Sequence, residues 1–397
     1  MSHISLPILT RHSSTASARA ALGAVMVVWA TGQAFAADTD TIHIASSAPL
    51  TGPAAAYGIE TMNGLHLAID EINKAGGIGG KQIELTELDD QCDPTQAATA
   101  ANRIISDRSI VAVVGNVCSS ATLAQMPIFG RVKLPVIAAT ASSPALSKKG
   151  FANFARIIPN DDLQGAGSVE LGTDVLGYKK LAVLYPSDDY GQVLLDIAKD
   201  TAAKTGGEIV ASETYVSGST NDFSSLLANV AAAKPDALFL AGYYADMGAA
   251  VSQSVRAFGG EKIPLLANAQ TQVPEYVDLA GKAAEGTWVT NVYDVHNPSP
   301  QNQAFVSAYE ATFDATPGVQ AAAGYDNIYV LKQAIEDNGG ETSDLMPAIL
   351  ASKYDGAMGP IRFDETGDNT GGALVVLQLK NGSWDFDETR TEELHAD

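Results

Sequence analysis

Five hydroxyl side chains, set just past two strand-like runs, are the residues of this chain best placed to do chemistry. Ser119 and Ser120 follow the β-branched run Ile110–Val114 and open a helix-like stretch from Ser119 to Gly130. Thr140, Ser142 and Ser143 stand in the same relation to the next strand, Pro135–Ala139. Backbone N–H groups and hydroxyls at a helix start favour an anion at the carboxyl end of a sheet. Two such loops side by side suit a ligand carboxylate. Any one of these serines alone is more often only a helix cap. Their coincidence with Tyr57, in a third loop between a strand and a helix, makes the stronger case. Further aromatics stand at matching places in the second half of the chain. Tyr190 opens the loop Ser187–Gly191, and Tyr243 and Tyr244 follow a strand ending at Ala241. A tyrosine stacks on an apolar ligand while its hydroxyl finds a polar partner.

Enzyme signatures are missing. His43, His66, His296 and His395 lack metal-ligand spacing to another His, Cys or carboxylate. No nucleophile elbow, phosphate-binding loop or dinucleotide fingerprint occurs. Asp89-Asp90 and Asp188-Asp189 lie in strand-to-helix loops, where Asp acts as turn former or cap. No catalytic activity, cofactor or metal is expected.

The elements that position these residues alternate almost without break. Ile42–Ala45 reads as a buried strand, and Met62, Leu65, Ile69 and Ile72 mark one face of a helix that Gly76-Gly77 stops. Lys81–Leu88 (strand), Pro94–Ser106 (helix) and the runs already named follow. After Pro159 the pattern restarts, with strands over Lys180–Tyr185, Glu208–Tyr215 and Ala237–Ala241. Helices are expected over Gly191–Thr205, Asp222–Ala233 and Ala245–Phe258. The pattern predicts an α/β fold with two parallel, doubly wound halves. The C-terminal third reads as helices over Pro298–Thr312, Tyr325–Asn338 and Ala348–Lys353, with strands over Ile361–Asp364 and Ala373–Leu379. These are too few for a third domain, so they must complete the two lobes.

Arg11 and Arg19 precede an apolar run from Ala20 to Ala30, and Ala34-Phe35-Ala36 supplies a small-x-small cleavage site. Residues 1–36 therefore read as a signal peptide, with no cysteine at the cleavage point to make a lipoprotein. The mature chain is expected in an oxidising periplasm. With 46 acidic against 24 basic residues, nucleic acid and anionic lipid are poor partners. Cys92 and Cys118 follow strands of the same half; one disulfide is the economical reading, two buried thiols the other.

Several segments, in order, resemble the periplasmic leucine/isoleucine/valine-binding proteins, the type I solute receptors of branched-chain amino acid ABC transporters. They are LTGPAAAYG (50–58), AIDEINKAGGIGG (68–80), DDQCDP (89–94), GNVCSS (115–120), DDYGQ (188–192), GYYADMG (242–248) and MGPIRFDETGD (358–368). The resemblance implies two lobes that close by a hinge, joined by crossovers near Pro159, Asn291 and Gly371. It divides the mature chain into residues 37–159 plus 292–370 and 160–291 plus 371–397. It implies that Ser119 holds a ligand carboxylate, with Thr140, through its backbone, and Ser142 completing the polar end and Ser120 beside them. Tyr57, Tyr190 and Tyr243 then line the cleft, and Cys92 and Cys118 match the family disulfide. A small-molecule solute and an inner-membrane ABC permease are the implied partners, with a monomeric receptor between them. One departure stands out. Family members that bind amino acids carry an acidic residue in the loop before Val273, where this chain reads LLANAQTQ (265–272). Either Asp326 or Asp246 meets the ligand's ammonium instead, or the ligand lacks one and Asn268 and Gln270 bind a neutral group. Aromatic carboxylates, small amides and a sensory receptor role are the corresponding alternatives.

Overall fold

A computed structural model describes residues 41–396; the expected leader and its cleavage site lie outside them. The first lobe opens with β1 (Ile42–Ala48), whose alternate and intervening side chains are nearly all buried. Pro49 and Pro53 punctuate the loop to α1 (Ala55–Lys74). Gly58 makes that turn possible: a Cβ there would lie 1.8 Å from the Pro49 carbonyl oxygen. Only the missing side chain lets the first turn of α1 fold back over the end of β1, which is what places Tyr57. There follow β2 (Ile83–Asp89), α2 (Pro94–Ser106), β3 (Ile110–Asn116) and α3 (Ser119–Gly130). Next come β4 (Val136–Ala138), α4 (Ala145–Lys148) and β5 (Phe154–Arg156). The strands form one parallel sheet in the order β2-β1-β3-β4-β5.

The second lobe repeats this winding. It contains α5 (Asp161–Glu170), β6 (Lys180–Pro186), α6 (Asp189–Lys204), β7 (Glu208–Tyr215) and α7 (Ser224–Ala232). It continues with β8 (Ala237–Leu240), α8 (Tyr244–Ala257), β9 (Leu265–Ala267), α9 (Pro274–Ala280) and β10 (Trp288–Asn291). The chain then returns to the first lobe for α10 (Pro300–Phe313), α11 (Val319–Asp337), α12 (Met346–Ala351) and the hairpin of β11 (Lys353–Gly356) and β12 (Gly359–Arg362). It crosses a last time to β13 (Val375–Lys380), β14 (Ser383–Phe386) and α13 (Glu388–Leu394). The second sheet runs β14-β13-β10-β9-β8-β6-β7, with β13 antiparallel to β10 and β14 antiparallel to β13. Both parallel blocks thus switch direction beside their first strand, between β1 and β3 and between β6 and β8. Such switch points are where open α/β sheets bind ligands. The expected α/β class, with two doubly wound lobes and three crossings, is the one observed.

Several boundaries differ from the sequence reading for local reasons. Helix α6 starts at Asp189, two residues early, because the Asp188 carboxylate caps Gly191 N–H. Helix α11 starts at Val319 instead of Tyr325, since its first turns (Val319–Gly324) are alanine-rich and carry no apolar stripe. Helix α5, with two glycines and two leading aspartates, has no clear stripe either and is not visible in the periodicity.

Candidate functional site

The carboxyl ends of both sheets face one another, and the hydroxyl and tyrosine residues meet between them. Ser119 is the first residue of α3, whose N-terminus has no side-chain cap because the preceding Cys118 is locked to Cys92 in a disulfide. The first-turn N–H groups of α3 are therefore left for an anion. Ser119 Oγ accepts a hydrogen bond of 3.1 Å from Ser143 N–H, which leaves its own proton free to donate. That bond also ties the two hydroxyl loops together. Thr140 differs from the expectation. Its N–H is spent on the Asn116 carbonyl at 3.1 Å, while its hydroxyl has no partner among the described residues.

A wholly buried arginine shapes the second loop. Arg156 donates to the carbonyls of Ala141 (2.8 Å) and Ser143 (2.9 Å) and pairs with Asp368 at 2.6 Å. These bonds fix the backbone of the loop that carries Ser142. Asp161, the first residue of α5, sits at the same place: its N–H donates to the Ser142 carbonyl at 2.9 Å. Its side chain is buried beside the Ser142 hydroxyl and Tyr190, and Oδ2 has no partner among the described residues. Burial pushes this carboxyl up to about 6, against the downward pull of Ser142 and Arg156. Asp161 is the site residue that the sequence reading misses. Pro159-Asn160-Asp161-Asp162 is the usable signal, an Asn cap followed by first-turn acids just past a crossover.

The second lobe contributes aromatic rings. Tyr190 and Tyr243 stack with centroids 5.4 Å apart, and Asn268 Nδ2 donates to Tyr190 Oη at 3.1 Å. Tyr57 crosses from the first lobe: its hydroxyl donates to the Gln270 carbonyl and accepts from Tyr244 N–H at 2.8 Å, so it caps α8 of the other lobe. Gln270 thus contributes its backbone. Ser120 Oγ lies by the Asp188 carboxylate of the facing lobe without closing a hydrogen bond on it. Ser120 Oγ, Thr140 Oγ1, Asp161 Oδ2, Tyr243 Oη and Asn268 Oδ1 are all buried and unmet among the described residues. Leaving one such group unpaired costs about 1–3 kcal/mol, so their convergence from both lobes marks a place for a polar solute.

Two acids considered from sequence are engaged with backbone and hydroxyl donors, Asp246 doing so at the edge of the cleft beside Tyr243 and Asp188. Both Asp326 oxygens accept backbone N–H groups of the β11–β12 turn, Ala357 at 2.9 Å and Met358 at 2.7 Å. Asp246 accepts from Ser217 Oγ at 2.7 Å and Gly218 N–H at 3.0 Å, holding a loop of its own lobe. Each carboxylate oxygen of both already accepts one hydrogen bond within its own lobe. Asp89 and Asp90 serve loops as expected, Asp89 accepting from Leu50 N–H and Asp90 from Cys92 N–H. A separate crevice of about 630 Å³ runs between α1 and α9 past Glu60 and Trp384, and shares none of the converging polar groups.

Residues 41–383 match the family model described as periplasmic binding protein. The chain belongs to that family. This periplasmic binding protein is 30% identical to the leucine-, isoleucine-, valine-, threonine-, and alanine-binding protein of Pseudomonas aeruginosa, over 89% of this chain and 92% of the relative. It superposes with TM-score 0.80 at 27% identity on the branched-chain amino acid transporter substrate binding protein LivJ of Streptococcus pneumoniae, solved in complex with isoleucine. That match covers 87% of this chain and 98% of the other. A solute binding protein of an ABC transporter from R. palustris, solved with benzoate, shares the fold at 22% identity and TM-score 0.79, over 87% and 95% of the two chains.

Proposed function

We propose that this periplasmic binding protein is the solute receptor of an ABC importer and binds a free α-amino acid between its lobes. One observation carries the reading. The open N-terminus of α3 and the unmet Asp161 Oδ2 lie on the same short stretch of cleft floor, joined through Ser142 and Ser143. An amino acid presents the matching pair, a carboxylate and an ammonium on one carbon. Ser119 and Ser142 take the carboxylate, with the Thr140 hydroxyl and Ser120 beside them, and Asp161 takes the ammonium. Tyr57, Tyr190 and Tyr243 close over the rest, with Asn268 and the Gln270 carbonyl at the rim. Asp161 thereby fills the role left vacant by the loop 265–272.

The assignment of amino-acid ligands to the Pseudomonas and Streptococcus relatives supports this reading. Over the described residues, sheet membership supports lobe limits of 37–159 plus 292–370 and 160–291 plus 371–397, and we take residues 1–36 to be a secretion leader. We take the receptor to be monomeric and without catalysis: His43 and His66 pair with surface glutamates, and His395 meets the Leu374 carbonyl, all away from the cleft. A second reading, an aromatic carboxylate or small amide without an ammonium, is favoured only by the missing acid in 265–272. Thermal unfolding of refolded ligand-free protein with a panel of amino acids, benzoates and amides separates the two. A ligand at 100 times its Kd stabilises by about 2.7 kcal/mol. A shift with amino acids is expected; a shift confined to acids or amides lacking an ammonium overturns the amino-acid reading.

A further inference from the structure

Gln320 is wholly buried, and neither its Oε1 nor its Nε2 has a hydrogen-bond partner among the described residues. Among the described residues no other buried side chain leaves two polar atoms unmet. Its position follows from the packing of α11 on α1. Gly318 N–H donates to Glu60, Gly64 lies against the Ala321 carbonyl, Gly324 lies against the Thr61 carbonyl, and Tyr329 Oη donates to Glu71. The two helices therefore run in the same direction, and α11, like α1, begins at the carboxyl end of the first sheet. Asn327 shares the face of Gln320, since residues seven apart on a helix nearly coincide in angle. Asn327 Nδ2 donates to the Ile137 carbonyl in β4 at 2.8 Å. Two turns back toward the helix start, roughly 10 Å, brings this face past the end of β4 and over the loop that carries Thr140.

We infer that Gln320 selects the ligand's side chain, and that the side chain is a neutral carboxamide and not a hydrocarbon. The inference rests on the amino-acid reading above and narrows it. A buried primary amide offers a donor and an acceptor side by side, and another carboxamide answers both at once. An aliphatic side chain answers neither. A carboxylate would meet Nε2 but face Oε1 with like charge, and an ammonium would do the reverse. A site built to hydrogen-bond a substrate group rejects the analogue lacking it far more strongly than an apolar pocket rejects an extra methylene.

Calorimetric titration of the refolded mature chain with glutamine, asparagine, leucine, isoleucine and valine tests this. At least tenfold tighter binding of a carboxamide amino acid than of leucine is expected. Gln320→Leu should erase or reverse that ratio, and Gln320→Asn should keep its sign. Leucine bound as tightly as glutamine by the unaltered protein overturns the inference and leaves the amino-acid reading standing; so does a Gln320→Leu ratio equal to the original. Binding of no amino acid overturns both. The unaltered protein decides the matter even if Gln320→Leu fails to fold.

Discussion

Asp161 is where a single proton decides affinity. Its carboxyl is raised from 3.8 to about 6 by burial, and an ammonium beside it would favour the charged form. Binding an amino acid therefore releases a proton below about pH 6. Affinity should be flat above that pH and fall by up to tenfold per unit below it. Asp161→Asn should flatten the profile and weaken binding by about 2–5 kcal/mol, the cost of one partner missing from a buried charge pair. Titration calorimetry between pH 4.5 and 8 checks both, and affinity that rises on acidification would place the ammonium elsewhere. For folding alone the sign is opposite to that of a paired acid. A carboxyl raised by burial withdraws stability from the free protein as pH climbs from about 4 to about 6. Ser119, Thr140 and Ser142 were legible in the sequence because each follows a strongly apolar strand. Asp161 and Gln320 were not, because each lies in the first turns of a helix whose small residues hide its period.

The helix starts are the elements that do most to build the cleft, and what caps them separates structure from site. Helices α2 and α6 are capped by their own Asp93 and Asp188 and offer no free amides from those bonds. Helices α3 and α8 lack side-chain caps from their own N-cap residues; α8 receives Tyr57 from the other lobe, and α3 stays open. The disulfide is why α3 stays open, since it turns the N-cap position into a crosslink. It spans 26 residues, and Gln91 and Cys92 reach it through left-handed backbone (φ 53° and 60°). Reduction should lower stability by about 2–4 kcal/mol, read as a shift in the urea midpoint. Binding should survive, because Ser143 N–H still holds Ser119 Oγ in place. Thiol titration of the unreduced, unfolded chain should find none; two reactive thiols would remove the crosslink from the account. The cap signals Asp93-Pro94 and Asp188 are readable residue by residue. A cap supplied from 187 residues away, as Tyr57 supplies Tyr244, is not.

At the scale of the whole molecule the lobes touch across the cleft. Tyr57 joins them through two hydrogen bonds, its ring meets Tyr244 edge-on at 4.9 Å, and Ser120 lies by Asp188. The hinge side is braced separately. Asp368, near the third crossing, receives Arg156 and, at 2.7 Å, Asn160, the cap of α5 at the first. Closure is then a rotation about a polar brace, limited by a tyrosine latch on the far side. Tyr57→Phe removes both latch hydrogen bonds while keeping the ring, so it should shift the free protein toward an open form without unfolding it. Small-angle scattering should show a larger radius of gyration for ligand-free Tyr57→Phe than for the unaltered protein, and equal radii once both are saturated with ligand. Affinity should fall by about 1–3 kcal/mol, the cost of leaving the Gln270 carbonyl and Tyr244 N–H unmet in the closed form. If scattering is the same for all four states, the lobes do not move and the cleft must fill by some route other than a hinge. If Tyr57→Phe alone expands but ligand fails to close it, the latch and not the solute holds the lobes together.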